Sequence, residues 1–90
     1  MRVALICKDK PGALQVRLDT RAAHLAHIEG SGVVEMAGPL LDGNGAMCGS
    51  LVILTVDDLA AAQAWAAADP YALAGLFDSV EIIEWKKVIG

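Results

Sequence analysis

Residues 65–75 read Trp-Ala-Ala-Ala-Asp-Pro-Tyr-Ala-Leu-Ala-Gly and mark a break between two helices. The alanine run before Asp69 favours a helix, because alanine has the highest helix propensity. Pro70 cannot continue that helix, yet Asp-Pro is also a typical helix start, with aspartate as N-cap and proline in the first turn. The pattern therefore predicts one helix that ends near Asp69 and a short second one over residues 71–77.

The Asp69 carboxylate has two candidate roles at this break. As an N-cap it would only accept hydrogen bonds from free backbone N–H groups, and this is the commoner case for such a residue. The same position, at the positive end of a helix, also suits anion binding or the orientation of a neighbouring histidine. Local sequence leaves both roles open.

Around this break the chain predicts four strands and a second long helix. In the first strand, and in residues 51–54 of the third, apolar residues follow one another without alternation, which is typical of strands covered on both faces. Asp-Gly and Asn-Gly within residues 41–47 predict a turn between the middle strands. The predicted elements are strands over residues 2–7, 33–40, 49–56 and 80–88, and helices over residues 13–29, 57–68 and 71–77.

The first helix carries an apolar stripe beside a row of polar residues. Spacings of three and four place five apolar side chains on one face, which we expect to be the packed face: Leu14, Leu18, Ala22, Leu25 and Ile28. Arg17, Arg21 and His24 share another side at i, i+4 and i+7. His24 adjoins the stripe, so its ring can point into a partly buried pocket, whereas His27 is expected at the surface.

The order strand, helix, strand, strand, helix, strand is the ferredoxin-like βαββαβ pattern of one α+β domain over residues 1–90. Right-handed crossovers place both long helices on one face of a four-stranded antiparallel sheet. The other face is left bare and apolar, in a chain with 56% hydrophobic residues. We therefore expect a homodimer in which two such sheets pack face to face.

Composition argues against several function classes. A net charge of −4 disfavours nucleic-acid binding, which asks for a basic face. No apolar run approaches the roughly 20 residues of a membrane span, and we see no signal-peptide pattern. Two isolated cysteines, Cys7 and Cys48, make no disulfide framework, so we expect a cytoplasmic protein with reduced thiols.

Few residue patterns point to chemistry. His24, beside two arginines, is the best candidate for a general base or an anion site, although a merely hydrogen-bonded histidine is commoner at such spacing. Ser50 starts a strand, where its hydroxyl can line a pocket, but no nucleophile elbow surrounds it. Glu35, in an apolar strand, is expected to pair with an arginine or to face water. No metal-ligand spacing occurs, so no metal site is predicted.

Six short motifs lie in order along nearly the whole chain: Arg21-Ala22-Ala23-His24-Leu25, Ala37-Gly38-Pro39-Leu40, Gly49-Ser50, Ala60-Ala61-Ala62-Gln63-Ala64-Trp65, Asp69-Pro70-Tyr71-Ala72-Leu73-Ala74-Gly75 and Trp85-Lys86-Lys87-Val88. Together they resemble the YciI-like (YCII-related domain) family, and the Arg-x-x-His-Leu helix with Asp-Pro-Tyr is the most specific combination. The resemblance implies the dimeric α+β barrel fold, which muconolactone isomerases and small cofactor-free monooxygenases also have.

The resemblance also implies an active site that contains a histidine and an aspartate. The matching positions are His24 and Asp69, with Ser50 as a third member. One branch of the family acts as a dehydrochlorinase on a chlorinated hydroxyquinol, which is lyase-type chemistry. The loop between Pro39 and Gly49 is short and glycine-rich here, which leaves the substrate of this chain open.

Three function hypotheses follow. In the first, Asp69 fixes the tautomer of His24, whose other ring nitrogen moves a proton on a small anionic or phenolic substrate without a cofactor, in an elimination or an isomerisation. In the second, the same pocket is the ligand site of a non-catalytic dimeric module or accessory protein. In the third, the dimer is purely structural. The expected substrate-binding residues are Arg17, Arg21, Gly38, Pro39, Pro70 and Tyr71.

Overall fold

The computed structural model describes all 90 residues, and its seven elements follow the predicted order. The first five agree with the predicted bounds to within two residues, because each has a clear hydropathy period or turn signal at its ends. The elements are β1 (Arg2–Asp9), α1 (Leu14–Ser31), β2 (Val34–Leu41), β3 (Met47–Thr55), α2 (Leu59–Ala68), α3 (Pro70–Leu73) and β4 (Phe77–Glu84).

The last strand begins and ends earlier than the sequence predicts. α3 stops at Leu73, and Gly75, with a φ of +73°, lets the chain turn directly into the sheet. β4 therefore covers Phe77–Glu84 rather than residues 80–88, and the predicted helical turn at Phe77 is wrong. Trp85 lies just past the strand, although its N–H still donates to the Arg2 carbonyl over 3.0 Å.

The four strands form one antiparallel sheet in the order β2-β3-β1-β4. This order, with the two long connections made by helices, is the ferredoxin-like βαββαβ fold. The two central strands, β1 and β3, pair along seven residues from Arg2 opposite Thr55 to Lys8 opposite Gly49.

The two faces of the sheet have different environments. The core lies on the helix side, where strand residues pack with Ala62 and Trp65 of α2: Val3, Leu5, Cys7, Val52 and Leu54. Alternation puts the other set of residues on the opposite face. That face is also apolar, as predicted, and it carries Ala4, Ile6, Met36, Leu51, Ile53 and Ile83. Met36, Leu51 and Ile83 are exposed there.

α1 packs through a different side from the one its apolar stripe predicts. Leu14, Leu18 and Leu25 are 43%, 48% and 45% exposed, whereas Arg17 and His24 are only 3% and 6% exposed. Arg17 and His24 can face inward because carboxylates and a hydroxyl from β1, β3 and the junction of α2 with α3 meet them. Arg21 is exposed, and Ile28 is the one member of the apolar stripe that packs against the core. No helix in the chain, α1 included, is long and apolar enough to cross a membrane.

Candidate active site

Asp69 is both a helix cap and the partner of a histidine. Its Oδ1 accepts the Tyr71 backbone N–H over 3.0 Å, which is the N-cap contact that Asp-Pro predicts. The same oxygen lies 2.8 Å from Nδ1 of His24, which α1 supplies from 45 residues earlier in the chain. The two side chains are 8% and 4% exposed, so the pair is buried.

This contact fixes which nitrogen of His24 is free. An ionised carboxylate only accepts, so Nδ1 carries the hydrogen and the lone pair of the neutral ring lies on Nε2. Nε2 has no hydrogen-bond partner in the protein. No fully buried side-chain nitrogen or oxygen in the chain lacks a partner, so the unpaired Nε2 is not fully buried. The arrangement is that of a base held by a carboxylate.

A cavity of about 350 Å³ lies between α1 and the strands β2 and β3. Seven of the predicted site residues line it: Arg17, Arg21, His24, Gly38, Pro39, Ser50 and Tyr71. Asp69 and Pro70 do not, since Asp69 lies behind His24 and Pro70 starts α3. Apolar side chains, among them Leu25, Ile28 and Val52, complete the lining.

The Tyr71 ring contacts two members of the polar row of α1. The His24 ring stacks on it, with centroids 4.0 Å apart and planes at 17°. The Arg17 guanidinium carbon lies 4.7 Å from the Tyr71 centroid, a cation–π contact. Burial raises the pKa of Tyr71, although the charges of Arg17 and Arg21 oppose this, so the phenol is neutral at neutral pH. Tyr71 thereby restricts the His24 ring from a second direction.

Arg17 already has anionic and hydroxyl partners within the protein. Its Nε and Nη2 each donate to the Asp9 carboxylate over 2.7 Å, and Nη2 also donates to Oγ of Ser50 over 3.0 Å. Burial disfavours the charge of Arg17, but the hydrogen bonds and the charge of Asp9 outweigh it and raise the pKa of Arg17 above its ordinary value. Arg21, in contrast, lines the cavity without a carboxylate partner.

Asp9, which holds the Arg17 guanidinium but does not line the cavity, is a residue that the sequence did not single out. It ends β1 between two lysines, in a charged stretch that reads as the start of a turn. No local pattern distinguishes such a residue from a solvated turn aspartate. Its side chain nevertheless turns inward, 6% exposed, because the Arg17 guanidinium meets it there. The one indication in the sequence is that Asp9 and Arg17 are only eight residues apart in the chain.

Three other residues were singled out in the sequence. Cys7 and Cys48 do not line the cavity, whereas Glu35 does. Burial, reinforced by the charge of Asp69, raises the pKa of the Cys7 thiol to about 12, whereas Cys48 is an exposed free thiol. Glu35, at the rim of the cavity, pairs with Arg2 through two hydrogen bonds of 2.9 and 3.1 Å, the first of its two expected outcomes. No group of three or more His, Cys, Asp or Glu side chains is placed to hold a metal ion.

His27 is not the surface residue that its position predicts. Its Nε2 lies 3.1 Å from the Trp65 carbonyl oxygen, and its ring packs against the Trp65 ring with centroids 4.5 Å apart. The indole N–H of Trp65 donates to Oγ of Ser31 over 2.9 Å. This second cluster ties the end of α1 to α2 and does not line the cavity.

The sequence matches a family model described as the YCII-related domain over residues 1–86. Protein YciI of Escherichia coli O6:H1 is 39% identical, and the match covers 98% of this chain and 99% of that protein. An uncharacterized protein of Haemophilus influenzae is 35% identical with the same coverage of both chains. The similarity thus extends over nearly the full length of each protein.

Two solved structures have a similar fold. The 5-chloro-2-hydroxyhydroquinone dehydrochlorinase TftG from Burkholderia phenoliruptrix AC1100, in complex with 2,5-dihydroxybenzoquinone, has a TM-score of 0.88 and 34% identity, with 96% of this chain and 94% of that chain covered. An antibiotic biosynthesis monooxygenase has a TM-score of 0.57 and 13% identity, with 96% and 98% covered. The second similarity concerns the fold alone.

Proposed function

Because the chain belongs to the YCII-related domain family, we propose that it is a cofactor-free enzyme that moves a proton on a small phenolic or anionic ring compound. The observation that carries this proposal is the buried His24–Asp69 pair, whose second ring nitrogen is accessible at a cavity of about 350 Å³. A similar dehydrochlorinase bound to a dihydroxybenzoquinone supports the ligand class.

In the proposed reaction, Nε2 of His24 takes the proton of a ring hydroxyl. Asp69 holds Nδ1–H, keeps the ring in the correct tautomer and stabilises the imidazolium that forms. The imidazolium then returns the proton to a ring carbon, which converts the enol into its ketone tautomer. Positioned proton transfer of this kind contributes about 10² to 10⁴ in rate.

The same steps lead to elimination where the ring carries a chloride. Protonation of the chlorine-bearing carbon gives a ketone beside a C–Cl bond. A second ring hydroxyl, conjugated with that carbon, then loses its proton as chloride leaves, and the ring becomes a quinone. The balance is loss of one HCl, so no external oxidant or reductant is needed. Isomerisation and dehydrochlorination therefore require the same base.

The active form in this proposal is a homodimer. The sheet face opposite the helices exposes Met36, Leu51 and Ile83, and a second copy of that face is the simplest cover for it. We expect sedimentation at micromolar concentration to give the mass of two chains. A stable monomer would contradict this part of the proposal.

The direct test compares the two histidines of α1. We expect His24→Asn to abolish deuterium exchange at ring carbons of polyhydroxylated benzenes, followed by NMR in deuterated water, and to abolish chloride release from their chlorinated forms. His27→Asn is the matched control and should retain both activities, because His27 does not line the cavity. Thermal unfolding of each variant separates lost chemistry from lost folding.

Two outcomes would reject the proposal. If folded His24→Asn retains turnover, His24 is structural. If the wild-type chain binds 2,5-dihydroxybenzoquinone but never exchanges a proton or releases chloride with any such ring, the cavity is the ligand site of a non-catalytic module.

A further inference from the structure

We propose that Ser50 donates a hydrogen bond to an oxygen atom of the bound ligand, and that Asp9 and Arg17 fix the direction of this donation. The donor assignment rests on the proposed function only in taking the cavity beside His24 as the ligand site, whereas the ligand class derived from it also rests on proton transfer by His24. Toward the ligand, Ser50 is assigned the role of a hydrogen-bond donor and not that of a nucleophile.

The hydroxyl hydrogen of Ser50 has no acceptor within the protein. A serine hydroxyl has one hydrogen to donate and two lone pairs to accept with. Oγ of Ser50 accepts from Nη2 of Arg17 over 3.0 Å, and guanidinium nitrogens are donors only. No acceptor in the protein takes the hydroxyl hydrogen of Ser50. Ser50 is 3% exposed and lines the cavity, so the cavity is the one place that can supply an acceptor.

Arg17, which Asp9 holds in place, determines which side of the Ser50 hydroxyl accepts a hydrogen bond. Asp9 accepts two hydrogen bonds of 2.7 Å from Arg17, a bidentate pair that holds the guanidinium plane. Arg17 in turn donates to Ser50, and a cation on the lone-pair side of a hydroxyl makes its hydrogen a stronger donor. Asp9 and Arg17 are therefore positioning residues that act on the ligand through Ser50.

This geometry narrows the ligand to rings with two oxygen functions. Nε2 of His24 needs a proton to remove, and the Ser50 hydroxyl needs an oxygen that gains negative charge as the proton leaves. A phenolate or a quinone-type carbonyl conjugated with the reacting hydroxyl meets both requirements. A donor aimed at the oxygen where charge develops stabilises the transition state more than the ground state. Ser50 has no base as a hydrogen-bond partner, which makes a nucleophilic role a poor fit.

The test measures binding of the probe 2,5-dihydroxybenzoquinone by titration to the wild-type chain and to serine variants. We expect Ser50→Ala to raise Kd about 10- to 100-fold, which is typical for a lost hydrogen bond to a charged oxygen. Ser50→Cys keeps the shape with a weaker S–H donor and should fall between. Ser79→Ala, an exposed serine on β4 away from the cavity, is the matched control and should bind as wild type.

The outcomes separate this inference from the proposed function. If Ser50→Ala and Ser50→Cys both bind as wild type, or if the wild-type chain binds no probe, the donor assignment is wrong. If the order serine, cysteine, alanine appears while His24→Asn retains turnover, Ser50 is the donor and proton transfer by His24 is rejected. If His24→Asn loses turnover while both Ser50 variants bind the probe with the wild-type Kd, proton transfer by His24 stands and the donor role of Ser50 is rejected.

Discussion

His24 and His27 lie one turn apart on α1, and each packs its ring against an aromatic residue from another helix. His24 stacks on Tyr71 at 4.0 Å, and His27 tilts over Trp65 at 4.5 Å. They differ in the acceptor that each ring nitrogen meets. His24 meets the Asp69 carboxylate at 2.8 Å, whereas His27 meets the carbonyl oxygen of Trp65 at 3.1 Å.

That difference separates a candidate base from a structural histidine. A carboxylate stabilises the imidazolium that forms when the ring takes a proton, whereas a neutral carbonyl does so much less. The cavity also adjoins only one of the two rings. The same residue type on the same helix therefore acquires its role from partners that lie 38 to 45 residues away in the chain.

The largest expected effect comes from removing the charge beside His24. Asp69→Asn keeps an oxygen that can still accept from both the Tyr71 N–H and Nδ1 of His24, but it removes the negative charge. The imidazolium that forms when Nε2 takes a proton then loses the charge that stabilises it, so His24 becomes a weaker base. We expect turnover to fall about 10²- to 10⁴-fold with little change in melting temperature, measured by proton exchange and thermal unfolding.

A second aspartate provides the control for Asp69→Asn. Asp58 caps α2 by accepting the Ala61 N–H over 2.8 Å, yet it is exposed and does not line the cavity. Asp58→Asn should leave turnover unchanged. If both variants lost the same fraction of turnover, the loss of a helix cap, and not of the pairing with His24, would explain the effect. The carboxylate would then not distinguish His24 from His27.

The two histidines also show which features a sequence pattern can predict and which it cannot. Local signals predicted the cap at Asp69 and the order of elements, because capping and turns depend on neighbours in the chain. The packed face of α1 was predicted wrongly from Leu14, Leu18 and Leu25. A helical stripe depends on hydropathy alone, whereas Arg17 and His24 of α1 are buried because they form hydrogen bonds with residues of other elements. Asp9 was missed for the same reason, since no local pattern carries a contact with Arg17.

A smaller effect is expected at the other histidine cluster. Trp65→Phe removes the indole donor to Ser31 and part of the ring beneath His27. We expect the free energy of unfolding to fall by about 1–3 kcal/mol, measured by urea denaturation, while turnover per folded chain stays constant. Ser31→Ala removes the same hydrogen bond and should cost less. A loss of turnover in folded Trp65→Phe would show that the two clusters are coupled.

The test with the smallest expected effect requires no substitution. It uses the reactivity of Cys7 to test whether water reaches the sheet beside Ser50. Cys7 lies opposite Ser50 across β1 and β3, on the helix side of the sheet, and burial with the charge of Asp69 raises its pKa to about 12. A raised pKa means that Cys7 stays a protonated thiol at pH 8, and thiols react as thiolates. We expect a disulfide reagent at pH 8 to modify Cys48 alone, at one thiol per folded chain, and both thiols in urea. If Cys7 reacts as fast as Cys48 in the folded chain, the sheet beside Ser50 is open to water. The difference between the two histidines would then rest on the Asp69 carboxylate alone.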